Sequence, residues 1–161
     1  MSKAPFTLRD ARPADVPTIV SLIRDLAVYE KQPEDFHADA QHLEEHLFGA
    51  KRFAEVVLAE WAGETAGFAL FFHNYSTWLT RPGLYLEDLF VKPAFRGLGI
   101  GEALFTHLAR IAVARGCGRM EWSVLTWNEP AIGFYKRLGA VPMAGWRVYR
   151  LAGPALDRLG R

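Results

Sequence analysis

The chain has 161 residues, half of them hydrophobic and 23% charged, with a formal net charge of +1. This composition suits one folded domain with a real core and excludes a disordered chain. The near-neutral charge and scattered basic residues give no reason to expect nucleic acid or a membrane surface as partner. Cys117 is the single cysteine, which rules out an internal disulfide and fits a reducing compartment. Met1 to Leu8 lacks the apolar run of a signal peptide, and no stretch approaches the ~18 apolar residues of a membrane span. The expectation is one cytoplasmic domain over residues 1–161.

In chain order, Phe6 and Leu8 alternate with polar neighbours as in a short strand. Pro13, Ala14 and Asp15 open a helix with the apolar stripe Val16, Ile19, Val20, Ile23 and Ala27. A polar stretch over 30–39 leads to a second helix carrying Leu43, Leu47 and Phe48. Val56, Val57 and Leu58 predict a strand. Ala62-Gly63-Glu64 predicts a tight turn, and the run from Phe68 to Phe72 a returning partner. Residues 74–82 read as a loop, and 84–91 as a strand stopped by Lys92-Pro93. A helix follows the glycines at 97, 99 and 101, with Leu104, Leu108, Ile111 and Ala112 on one face. Residues 120–125 are strand-like. Asn128 predicts the N-cap of a short helix with Pro130 in its first turn, closed by Gly139. A last strand is expected over 145–151. The fold class is α/β: a mixed, mostly antiparallel central sheet with helices on both faces.

The most informative stretch runs from Leu86 to Gly101, a strand entering a glycine-rich turn that feeds a helix. Glycines admit a ligand close to the backbone, and free N–H groups at a helix start favour an anion such as pyrophosphate. Arg96 adds positive charge there. A P-loop is excluded because no Gly-Lys-Ser/Thr follows, and Gly97, Gly99 and Gly101 lack the spacing of a dinucleotide fingerprint. A bare strand-to-helix turn is the alternative for such a motif taken alone.

Arg96-x-x-Gly99-x-Gly101 resembles the acetyl-CoA signature of the GCN5-related N-acetyltransferases. Leu-Ala-x-Tyr-Glu at 26–30, Tyr-Leu-Glu-Asp at 85–88, Trp-Asn-Glu-Pro at 127–130 and Phe-Tyr-Lys-Arg at 134–137 resemble the spermidine/spermine and thialysine acetyltransferase branch. So do Leu138-Gly139-Ala140 and Gly145-Trp146-Arg147. The matches keep family order over nearly the whole chain. The resemblance implies acetyl-CoA held by Leu89, Phe90, Val91, Arg96, Gly97, Leu98, Gly99, Ile100, Gly101 and Glu102, with Asn128, Glu129, Pro130, Ala131 and Tyr135 lining it from the other side. For the acceptor it implies Tyr29, Glu30 and Glu87, with Glu121, Trp122 and Ser123 along the amine channel. It also implies a homodimer. Polyamine-binding relatives carry an acidic residue before Gly-Trp-Arg. Here that stretch is Pro142-Met143-Ala144, which puts a short diamine or lysine-like amine on a par with spermine.

An alkyl ammonium near pKa 10.4 must lose a proton before it attacks a thioester, at a cost of ~4–5 kcal/mol near pH 7. A carboxylate can take that proton directly or through water. Strand alternation sends Glu87 and Asp88 to opposite faces, so at most one enters a given pocket; Glu87 is the expected base, an acid on a solvated face the alternative. By resemblance, Tyr135 is the acid for the leaving thiolate, and a strand bulge frees a backbone N–H near Leu89 for the oxyanion. The expected activity is acetyl transfer from acetyl-CoA to a primary amine of a small diamine, polyamine or lysine-like substrate, by direct attack in a ternary complex. The rivals are acetylation of a protein lysine or N-terminus, and a non-catalytic acetyl-CoA-binding module. His42-x-x-Glu45-His46 matches a zinc-peptidase pattern, but no third ligand shows the spacing, so no metal is expected.

Overall fold

The computed structural model describes residues 5–161. It divides into two compact units, Met1–Ser123 and Val124–Arg161. In the first, β1 (Phe6–Asp10) precedes α1 (Val16–Tyr29) and α2 (Ala40–Phe48). Strands β2 (Glu55–Trp61), β3 (Glu64–Ser76) and β4 (Arg81–Val91) follow, then α3 (Ile100–Ala114) and β5 (Met120–Trp122). The five strands form one sheet in sequence order. Neighbours from β1 to β4 are antiparallel, and β5 joins β4 in parallel. This is the mixed, mostly antiparallel sheet that the patterning predicts.

Local chemistry sets the element ends. Asp39 caps α2 by accepting a hydrogen bond from the His42 N–H at 2.9 Å, filling one of the orphan donors of a first turn. Ala62 and Gly63 both adopt positive φ, 49° and 83°, the conformation that matches a two-residue hairpin to the twist of its strands. Arg9 ties β1 to its surroundings, donating to Asp15 at 2.8 Å and to Glu60 at 2.8 Å.

Helical and strand periods converge on two faces of the sheet. On one, Ile19, Leu22 and Leu26 of α1 and Leu47 of α2 meet Val56, Leu58, Phe68 and Phe90. On the other, α3 packs over β2, β3 and β4, burying Ile100, Leu104, Leu108 and Ala112. Each such large side chain contributes about 1.5–3 kcal/mol by leaving water.

Three sequence expectations are corrected. The loop expected over 74–82 shrinks to a turn at 77–80: β3 and β4 stay paired out to Ser76 and Arg81, with Asn74 opposite Gly83. A Cβ at 83 would collide with the Asn74 side chain, so the glycine permits close strand approach despite the loop-like composition. The strand expected over 120–125 stops at Trp122. The last strand, over 145–151, is not formed. Val124–Arg161 contains the helices α4 (Glu129–Arg137) and α5 (Gly153–Leu159), so that unit supplies no strand with which the alternating residues can build a ladder. No helix among the described residues is long and apolar enough to cross a membrane.

Candidate active site

The strand β4 carries a bulge at the position where the chemistry is expected. Leu70 of β3 faces Asp88, while the next residue, Phe71, faces Leu86. Glu87 is therefore the extra residue, and alternation breaks there. As a result both Glu87 and Asp88 line one cavity of about 350 Å³, together with Ile23, Leu26, Ala27, Glu30, Gln32, Asp35, Phe36, His37 and Ala38. The expectation that only one of the two acids could enter a pocket is wrong, because it assumed an unbroken pleat.

Two of the four acids around this cavity, Asp88 and Glu30, have raised proton affinity. Burial pushes the Asp88 carboxyl up from 3.8 to about 7, with the charges of Glu87 and Glu30 adding to the effect. Glu30 is raised in the same direction, first by burial and then by Glu87. Both are the expected response of an acid short of water and close to like charge. Apolar walls from α1 strengthen such fields by excluding solvent.

At its far end β4 runs into the glycine turn. Gly97 and Gly99 hold φ of 76° and 84°, a region that L side chains avoid. A Cβ at either glycine would meet no atom within 4 Å, so the space above the turn is open. Gly99 is also the N-cap of α3, and no side chain caps it. The first-turn N–H groups of a helix lack internal acceptors, so the positive end of the α3 dipole faces this space. Arg96 is anchored beside the turn. Its Nε donates to the Val91 carbonyl at 2.9 Å, and its guanidinium lies 4.9 Å from the Tyr29 ring and 5.5 Å from the Phe90 ring. The open cradle and the uncapped helix start fit the diphosphate of a CoA thioester.

Between cavity and turn, β4 is open along one edge. β5 pairs with it only from Leu84 to Leu86, so among the described strands none pairs with that edge over residues 87–91. Backbone groups at Leu89, Phe90 and Val91 thus lie on an edge without a paired strand, where an amide-bearing chain could take the place of one.

The structure brings Tyr29, Glu30, Glu87 and Arg96 into one neighbourhood. It does not place the β5 residues in the acidic cavity. Glu121 pairs with Arg119 at 3.0 Å, Trp122 stacks edge-on against Phe105, and the Ser123 hydroxyl lies 3.1 Å from the Tyr85 hydroxyl. In the second unit Asn128 caps α4 as expected, accepting from the Ala131 N–H at 3.4 Å. Glu129 and Pro130 form its first turn. Tyr135 is half-buried on α4 beside Phe134, with 5.9 Å between ring centroids. His42 and His46 stack at 6.0 Å; no group of three His, Cys, Asp or Glu among the described residues could hold a metal ion. The sequence analysis missed Asp35, His37 and Asp88 as cavity residues. The polar stretch after α1 signalled a loop but not which side chains it turns inward.

Comparison with known proteins agrees with this geometry. The model of the "Acetyltransferase (GNAT) family" matches residues 19–140. Thialysine N-epsilon-acetyltransferase of Bos taurus is 36% identical over 94% of this chain and 95% of its own length. L-ornithine N5-acetyltransferase of Arabidopsis thaliana is 32% identical over 96% of this chain and 87% of its own. Among solved structures, an integron cassette protein from the mobile metagenome of V. cholerae superposes with a TM-score of 0.82 at 27% identity, covering 99% of each chain. An acidic cavity and an unpaired edge on β4, the uncapped helix start that follows it, and these matches identify the chain as an N-acetyltransferase that belongs to the GNAT family.

Proposed function

We propose that the protein transfers an acetyl group from acetyl-CoA to a primary amine of a small cationic molecule: a diamine, a polyamine or a lysine-like amine. The cavity lined by Glu30, Asp35, Glu87 and Asp88 carries this reading. This acidic lining attracts an ammonium and repels an anionic acceptor. The relatives support it, being named for thialysine and ornithine acetylation.

Acetyl-CoA supplies an acetyl group already activated as a thioester. Its diphosphate is held by the N–H groups of residues 97–102 beside Arg96, and its amide-bearing arm by the open edge at Leu89, Phe90 and Val91. The family resemblance supports Asn128, Glu129, Pro130 and Ala131 as further cofactor-binding residues. Glu87, the bulged and exposed residue at the cavity rim, takes the ammonium proton directly or through one water, which offsets the ~4–5 kcal/mol needed to present a free amine near pH 7. A backbone N–H near Leu89 donates to the carbonyl oxygen as negative charge develops on it. Tyr135 donates to the departing sulfur. The amine attacks directly with both substrates bound. The family resemblance supports a homodimer as the assembled form.

The test is thiol release from acetyl-CoA against putrescine, spermidine, spermine, ornithine, lysine, thialysine and a lysine-bearing peptide. A small cationic amine with the highest kcat/KM, and a large loss in Tyr135→Phe, is the expected result. Preference for the peptide would move the acceptor to a polypeptide. Binding of acetyl-CoA with no amine-dependent thiol release would leave a binding module.

A further inference from the structure

The bulge at Glu87 puts two adjacent carboxyls into one cavity, and they are not equivalent. Glu87 is exposed, whereas Asp88 is largely withdrawn from water against α1. Asp88 sits opposite Leu70 in the ladder, on the sheet face that packs the apolar cluster of α1 and α2. The charged and titratable groups around it are Glu30 at the end of α1, Asp35 and His37 on the following loop, and Glu87 on its own strand. Arg96 is anchored on the Val91 carbonyl and over the Tyr29 and Phe90 rings, beyond the cavity lining. An ionised Asp88 therefore meets the like charges of Glu87 and Glu30 with little water to screen them.

We propose that Asp88 is the carboxyl of the acceptor cavity that changes charge with occupancy: neutral while the cavity is empty, ionised once a cationic amine enters, so that acceptor recognition releases a proton. This deepens the reading of the site as an amine pocket and rests on it. The empty cavity keeps Asp88 as –COOH, relieving repulsion with Glu30 and Glu87. An entering ammonium supplies the missing counter-charge. The Asp88 O–H bond then breaks, its proton passes to solvent, and the carboxylate pairs with the ammonium, which retains its own protons until Glu87 accepts one. Asp88 is thus a positioning residue, and its effect falls on KM, whereas that of Glu87 falls on kcat. The burial that raises the Asp88 carboxyl to about 7 places the change within the working range of an intracellular pH.

The experiment is the pH dependence of KM between pH 5.5 and 8.5 for the panel amine with the highest kcat/KM, at saturating acetyl-CoA. Calorimetry of the same amine binding to the CoA-saturated protein, in two buffers of different ionisation enthalpy, accompanies it. In the wild type KM falls by roughly tenfold per pH unit below about 7 and levels off above it, and binding at pH 6.5 releases protons. Asp88→Asn removes both the slope and the proton release, Asp88→Glu keeps them, and His37→Gln keeps them, which separates Asp88 from the titrating imidazole. A KM slope or proton release that persists in Asp88→Asn overturns the inference while leaving the acetyltransferase reading intact. If acetyl-CoA binds but no panel amine is turned over, the acceptor reading fails and the inference fails with it.

Discussion

Glu87 and Asp88 sit in a wall of carboxylates, whereas the turn from Gly97 to Gly99 offers hardly any side chain at all. Both regions grow from β4, yet they are built on opposite principles. The cavity works through charged side chains held short of water, so its properties follow from which acids share the space. The turn works through backbone N–H groups and an open approach, so its properties follow from φ angles and the absence of Cβ atoms. The difference predicts which substitutions each tolerates: the cavity is sensitive to isosteric loss of charge, the turn to any added bulk.

The largest effect is expected at the cavity. Glu87→Gln keeps the shape and removes the proton acceptor, lowering kcat by about 10²–10⁴ with acetyl-CoA binding unchanged, as read by steady-state kinetics and direct titration. At the turn, Gly99→Val forces a β-branched residue to a φ of 84°. The strain of roughly 1–3 kcal/mol weakens acetyl-CoA by about 5- to 150-fold in Kd and leaves the relative preference among amines as it was. If Gly99→Val instead altered amine selectivity, the two regions would not be separable.

A smaller effect is expected in stability. The Asp88 carboxyl binds its proton more tightly in the folded chain, about 7 against an ordinary 3.8. Its contribution is therefore full below the ordinary value and lost as pH rises toward and past 7. Asp88→Asn removes that loss, so without ligand it melts a few degrees above the wild type at pH 8 and level with it near pH 4. The smallest effect belongs to a pair outside both regions. Arg115 and Glu55 form an exposed bidentate bridge at 2.6 and 2.9 Å, and Arg115→Ala costs at most about 1 kcal/mol in denaturant unfolding, with no change in kcat.

Much of this was legible from residue order because it depends on local rules. The apolar stripe beginning at Val16 and Ile19 dictates a buried helix face, which the structure centres on Leu22 and Leu26, leaving Val20, Ile23 and Ala27 half-buried. Asn128 with Pro130 dictates a helix start, and alternating glycines after a strand dictate an open turn into a helix. Each reports a preference that a few neighbouring residues settle among themselves. Where composition misled, a partner decided. The run from Asn74 to Pro82 carries loop-forming residues, but only 77–80 turn, and β3 and β4 stay paired on either side of them. Residues 145–151 alternate as a strand should, but their own unit holds only helices.

By itself, then, the sequence determined the element order from β1 to α4, the glycine turn and the acidic character of the Glu87 segment. Only the tertiary structure decided that Glu87 and Asp88 share one cavity, that Asp35 and His37 join them, and that Asp88 rather than Glu87 is the carboxyl held short of water. The physical reason is that a bulge is a mismatch between two strands, Leu70 and Phe71 on one against Leu86 to Asp88 on the other. Neither strand encodes it alone. Proton affinity likewise belongs to the company a carboxyl keeps, and residues 30, 35, 87 and 88 become company only after the chain has folded.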